Sequence, residues 1–192
     1  MVYSNILKNL HKHISLTQEE EEYFLSLLKY QEVSKKDVVL HQGEVCKHLY
    51  FVNSGLLRAF FTGQETKEAT IMFAMEDWWI TDMHCFLQQS AAMVSIQAVE
   101  ASTLLKLSKH DLDSLYSTVP AFERFFRILM QNAYVREQVR VLENLSLPAE
   151  VRYTNFMKKY PQIVQQVTQK QIASYLGITP EFLSAIRATK RL

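Results

Sequence analysis

The sequence predicts an α+β chain in three parts: an N-terminal antiparallel jelly roll, a long helix, and a C-terminal helix-turn-helix. Three observations carry this. Between Val38 and Leu107, short β-prone runs follow one another at turn spacing. From Ala121 to Leu147 a helical period runs without a break. From Gln169 to Ala188, small and apolar residues stand where two helices meeting at a corner need them.

The chain has 192 residues, of which 48% are hydrophobic, enough for a buried core without staples. Cys46 and Cys85 lie far apart in sequence and belong to no CxxC pair, so neither a disulfide framework nor a zinc or iron-sulfur site is expected. The N-terminal MVYSNILKNLHKHISL has no long apolar run, and no run of eighteen apolar residues occurs anywhere. A soluble protein of a reducing cytoplasm is expected, without a membrane partner. The net charge of +1 hides a division. Residues 1–119 carry 10 Lys or Arg against 15 Asp or Glu, whereas residues 120–192 carry 11 against 5. A basic C-terminal part can sit near phosphates.

Taken in order, SLTQEEEEYFLSLLKY reads as an amphipathic helix opened by a Thr17–Glu20 capping box, with Tyr23, Phe24, Leu27 and Leu28 on one face. The runs VVLH, HLYFVNSG, LLRAFFTG, EATIMFA, MVSIQAV and STLLKLS then read as strands punctuated by Gly43, Gly55 and Gly63. Short strands so closely spaced suggest a compact, pocket-forming roll. HDLDSLYSTVP reads as a short helix ending near Pro120. The long helix after it carries Phe122, Phe125, Leu129, Ala133, Arg136 and Val139 at three- and four-residue spacing, continued by Leu142 or Glu143, with Phe126 and Met130 widening the stripe. Such a two-sided stripe fits a helix that packs on the roll and pairs with a copy of itself, or one that packs only within its own subunit. Pro148 opens a further helix that Pro161 closes.

At the C-terminus, Ala173 falls at the closest approach of two helices, Gly177 at the bend, and Ile172, Leu176, Leu183 and Ile186 on a shared buried face. Thr168 with Gln171 forms a capping box, and Thr179 with Pro180 supplies an N-cap and a first-turn proline. Together these favour a nucleic-acid reader over an ordinary helical hairpin.

The segments LHQGEVCKHLYFVNSGLLRAF, IQAVEASTLLKLSKHDL and VTQKQIASYLGITPEFLSAIR resemble the Crp/Fnr regulators over nearly the whole chain. The resemblance implies a cyclic-nucleotide-binding-like double-stranded β-helix with its N-terminal helix over residues 1–119, a dimerisation helix and hinge over 120–147, and a helix-turn-helix DNA-binding domain over 148–192. It implies a homodimer on double-stranded DNA, RNA polymerase as a further partner, and an effector at the roll. Trp78, Asp82, Met83, Phe86, Ala92 and Met93 would line the effector pocket. The six long-helix residues from Phe122 to Val139 named above would pair the subunits.

Two departures bear on function. The family's phosphate cassette has a Gly-Glu pair before a short helix and an Arg-Ser or Arg-Thr pair after it. Here Asp82 stands at the glutamate position, Ala92 and Met93 stand at the arginine pair, and no arginine occurs from Ala69 to Val119. A buried phosphate needs cations or several N–H donors, so cyclic AMP is not the expected ligand. The pocket is instead filled by its own side chains or holds an apolar effector. In the recognition helix the family has an Arg-Glu pair and a following Arg; here Pro180 and Ala185 stand at the two arginine positions and Glu181 remains. Base readout then falls to Glu181 and Ser184, with Arg187 close by, while Thr168, Gln169, Thr179, Lys190 and Arg191 are placed for backbone phosphates. A metal enzyme of the cupin type is the competing class. His11 and His13 precede the barrel, and His41, His48, His84 and His110 lack ligand spacing, so no metal, cofactor or catalytic residue is expected. A sensor whose helix-turn-helix is vestigial remains a second alternative.

Overall fold

The computed structural model describes residues 2–63 and 67–189. Two short helices, α1 (Ser4–His11) and α2 (Gln18–Leu27), lead into the roll. Thr17 caps α2 through its hydroxyl while Glu20 reaches back to the Thr17 N–H at 2.8 Å. The helix stops at Leu27, three residues before the end of the run that reads as helical. Lys29–Val33 instead forms strand β1, because its backbone completes an antiparallel ladder with Ser102–Ser108.

The roll consists of two antiparallel sheets. Strands β1, β8 (Ser102–Ser108), β3 (His48–Ser54) and β6 (Trp79–Ile80) form one in that order. Strands β2 (Val38–Leu40), β7 (Ser95–Ala98), β4 (Leu56–Thr62) and β5 (Glu68–Met75) form the other. The β3–β4 turn depends on Gly55, whose φ of +93° lies in the left-handed region and whose missing Cβ would meet Ser102 Oγ at 2.2 Å. Helix α3 (Met83–Gln88) sits in the connection between β6 and β7, and α4 (Lys109–Thr118) follows β8.

The long helix α5 (Ala121–Ser146) is rooted in the roll. Phe122 and Phe125 are fully buried; Phe24 stacks on Phe122 at 4.8 Å, and Trp79 meets Phe126 edge-on at 5.4 Å. Asn9 of α1 fixes that indole by accepting from Trp79 Nε1 at 3.1 Å. Beyond α5 come α6 (Ala149–Lys159), α7 (Pro161–Gln166), α8 (Gln169–Leu176) and α9 (Pro180–Thr189). Helix α7 is a turn and a half that the sequence pattern does not show. Pro161 ends α6 as expected and then serves as the first residue of α7.

Sheet β2-β7-β4-β5 is apolar on both faces. Leu57, Ala59 and Ala74 point into the roll, whereas Leu56 and Phe73 join Val99 under the C-terminal helices. The roll and the C-terminal helices are therefore packed together rather than strung on a linker.

Candidate functional site

The corner between α8 and α9 is assembled by the residues whose spacing predicts a helix-turn-helix. The Thr168 hydroxyl accepts from the Gln171 N–H at 3.2 Å, and the Gln171 carboxamide accepts from the Thr168 N–H at 2.9 Å, closing the capping box. Gly177 ends α8 at φ +67°, and the Thr179 hydroxyl accepts from the Phe182 N–H at 3.2 Å to start α9. Ala173 and Leu183 are wholly buried, with Ile172, Leu176 and Ile186 beside them. On the outward side Thr179, Pro180, Glu181, Ser184 and Ala185 are exposed, Arg187 is half-buried, and Thr168 and Gln169 are exposed at the start of α8. Lys190 and Arg191 lie outside the described residues. Phe182, which sequence reasoning passed over, is 45% exposed on the same face. A large apolar residue left in water between charged and hydroxylic neighbours was the signal that could have found it.

Helix α8 is held by the roll. Ser174 Oγ donates to the Glu68 carbonyl and accepts from the Thr70 N–H, both at 2.8 Å, so one hydroxyl bridges two backbone groups of β5. Tyr175 packs on Phe73 at 5.4 Å and on Phe156 at 5.1 Å, and Trp78 meets Tyr160 edge-on at 6.0 Å. Burial pushes the Tyr175 hydroxyl up to about 12. The seam therefore carries a neutral phenol at physiological pH.

The residues grouped as an effector pocket do not share one cavity. Asp82 is buried and serves as a staple: its carboxylate accepts from the N–H groups of Cys85 (3.1 Å), Met93 (2.6 Å) and Val94 (3.2 Å). It thereby caps α3 and ties that helix to the β7 approach. Phe86 and Ala92 are buried in the roll core, and Met83 packs against it. Met93 is 53% exposed, so it does not line an enclosed pocket. Trp78 lies at the seam, under the Arg136 guanidinium at 4.9 Å. The arginine of the roll, Arg58, is committed elsewhere, with Nη1 on Glu68 at 2.7 Å and Nη2 on Gln97 at 2.8 Å. The two cysteines meet here as buried free thiols, with the Cys46 N–H on Cys85 Sγ at 2.7 Å. Burial pushes the Cys85 thiol up, which keeps it protonated.

The stripe expected to pair subunits is also redistributed. Phe122 and Phe125 are spent inside their own subunit, Leu129 packs on the roll, Arg136 lies over Trp78, and Ala133 lines a cleft beside it. Only Val139 of that set is exposed. The outward side of α5 carries Tyr134, Val135, Val141, Leu142 and Leu145 instead. The first half of the helix is apolar toward the roll and the second half is apolar toward solvent, so a three-to-four period cannot say which side the roll takes.

Among the described residues no three His, Cys, Asp or Glu side chains gather where a metal ion could sit. His48 is held below its ordinary value by burial first and by Lys106, Lys29 and Lys47 next. No described helix is long and apolar enough to cross a membrane.

Residues 30–119 match the cyclic nucleotide-binding domain family. Over 91% of this chain and 92% of the other, the structure is similar to that of CLP from Xanthomonas campestris, described as a c-di-GMP-responsive global regulator, with a TM-score of 0.76 at 14% identity. A transcriptional regulator of the crp/fnr family from Eubacterium rectale superposes with a TM-score of 0.72 at 18% identity, over 92% of this chain and 84% of that one. The fold is that of the Crp/Fnr regulators. Electron transport regulator A of Shewanella oneidensis is 23% identical over 167 residues, 80% of this chain. The chain spans 65% of the length of that curated relative. These Crp/Fnr-type neighbours are regulators and binding domains rather than enzymes.

Within this Crp/Fnr fold the Asp82 staple is internal to the protein. Asp82→Ala orphans three backbone N–H groups, and urea denaturation should read a loss of roughly 2–4 kcal/mol.

Proposed function

We propose that the chain is a homodimeric, DNA-binding transcription regulator of the Crp/Fnr type that works in the cytoplasm and whose roll does not take cyclic AMP. The observation that carries this reading is the outward face of α9, where Glu181, Phe182, Ser184 and Ala185 stand in solvent on a helix whose other face is fixed by Leu183 and Ile186. A helix so presented can enter a major groove. Glu181 would accept from a cytosine amino group, and Phe182 with Ala185 would meet thymine methyls. Thr168, Gln169 and Arg187, with Lys190 and Arg191 beyond, would hold backbone phosphates.

Pairing would use the outward stripe of α5. Leu145 is 81% exposed and Leu142 63%, and apolar residues left in water along one helix side support a self-complementary partner. The proposed division is a sensor unit over residues 1–119, the pairing helix and hinge over 120–147, and the DNA-binding unit over 148–192. An effector or partner acting on the roll would shift the population of hinge conformations around Leu145 to Glu150 and with it the spacing of the two α9 helices.

Against cyclic AMP stand the occupied Asp82 carboxylate and the commitment of Arg58 to Glu68 and Gln97. A phosphate in this loop would find no cation.

In fluorescence anisotropy with a selected duplex, Glu181→Ala should lower discrimination at one base step by roughly tenfold. Arg187→Gln should instead weaken all duplexes alike and reduce the log–log salt slope by about 0.9. Equal behaviour of the two variants would count against the assignment of readout and positioning. Replacing Leu142 and Leu145 together by Glu should leave the circular dichroism spectrum intact while light scattering reports monomers and duplex binding is lost. A dimer that survives this change would place the pairing surface elsewhere.

A further inference from the structure

The inner side of α5, the facing side of α6 and the end of α8 enclose a cleft of about 480 Å³, counted with the space that opens to solvent. Its walls are cationic and its floor is aromatic. Arg136 and Arg140 come from α5, Arg152 and Lys159 from α6, and Phe156, Tyr160 and Tyr175 lie beneath them, with Glu143 as the acid in the lining. The spacing of four and seven residues puts each pair of cations on one side of its helix.

The carboxylates present do not balance these cations. Glu137, just outside the cleft, holds Arg140 at 2.8 Å and reaches Arg136 at only 4.0 Å. Glu143 is occupied by Asn155, which donates to it at 3.1 Å. Among the described residues Arg152 meets only neutral acceptors, Asn144 Oδ1 at 2.6 Å and the Leu176 carbonyl at 2.8 Å, and its Nε is buried with no partner there. The Lys159 ammonium rests over the Tyr160 ring at 5.3 Å and has no ion pair among the described residues. A buried guanidinium N–H without an acceptor is costly, and four cations beside two carboxylates leave an excess of positive charge. One oxyanion between α5 and α6 would relieve both conditions, and guanidinium forks match its geometry.

We propose that this cleft binds a small, multiply charged oxyanion of the phosphate class, and that its occupancy sets the angle between α5 and α6. The chain passes from α5 to α6 through Leu147 and Pro148 alone, so a ligand held by cations from both helices adds to the Arg152–Asn144 and Asn155–Glu143 hydrogen bonds as a brace across the hinge. The site is separate from the loop around Asp82 and from the outward face of α9. Of the exposed apolar residues of α5 its lining takes Val139, and not Val135, Leu142 or Leu145. Binding itself does not rest on the duplex-binding reading; the regulatory consequence does.

The test is calorimetric titration of the full chain with inorganic pyrophosphate, in chloride buffer of constant ionic strength, with tryptophan fluorescence followed in parallel because Trp78 lies under Arg136. Saturable binding at one site per chain is expected, with a fluorescence change. Lys159→Gln, an exposed position that leaves the fold unaltered, should weaken binding by roughly tenfold or more. Arg152→Gln should do the same, whereas Lys170→Gln, at an exposed position of α8 outside the cleft lining, and Arg187→Gln on the proposed duplex-binding face should not. Absence of saturable heat, or a loss that follows Lys170 and Arg187 rather than Lys159, overturns the site. Saturable binding that leaves duplex affinity unchanged overturns the brace. Should no duplex bind under any condition, the regulator reading fails while the heats still decide the site.

Discussion

One sheet has to serve two cores, and the arrangement of the whole chain depends on that. Strands β4 and β5 send Leu57, Ala59 and Ala74 into the roll and Leu56 and Phe73 outward to the C-terminal helices. The outward side is sealed by aromatic rings, Phe73, Phe156, Tyr175, Trp78 and Tyr160, and by one hydroxyl, Ser174, that satisfies a donor and an acceptor of β5 at once. Because successive strand residues point to opposite faces, a slip of one residue in β5 would exchange the two cores. The register of a strand in the roll thus fixes where α8 lies. Through the corner at Gly177, it also fixes which way α9 faces.

The loop around Asp82 and the junction of α5 with α6 divide the electrostatic work. In the loop around Asp82 the carboxylate accepts from three backbone N–H groups, so the loop is closed by the protein's own charge. At the hinge the position is reversed: guanidinium groups gather over aromatic rings and the nearby carboxylates are already engaged. In the proposed reading the cationic chemistry that suits a phosphate gathers between α5 and α6 rather than in the loop around Asp82.

Much of this could be read before any coordinates. The capping boxes at Thr17 and Thr168, the glycine bend at Gly177, the buried set of Ile172, Leu176, Leu183 and Ile186, and six of the strands all rest on local spacing, which the sequence records directly. What was illegible depends on partners distant in the chain. Lys29–Val33 looks like the tail of a helix because its strand character comes only from pairing with β8. Helix α7 is too short to show a period. Phe122 and Phe125 carry the same spacing whether they meet the roll or a second subunit, and only their zero exposure separates the cases. The same holds for the hinge cleft, where Arg136 and Arg152 are far apart in sequence and meet only when α6 folds back across α5.

Selection of bound duplexes from a random pool, followed by footprinting, reads most directly whether α9 acts as one of a symmetric pair. Two α9 helices related by a twofold axis through α5 predict a near-palindromic site with half-sites about 34–36 Å apart, one helical turn or a multiple of it. A selected site with a single half, or a bound pool with no sequence preference, would contradict a paired reader and leave α8 and α9 as an ordinary helical corner.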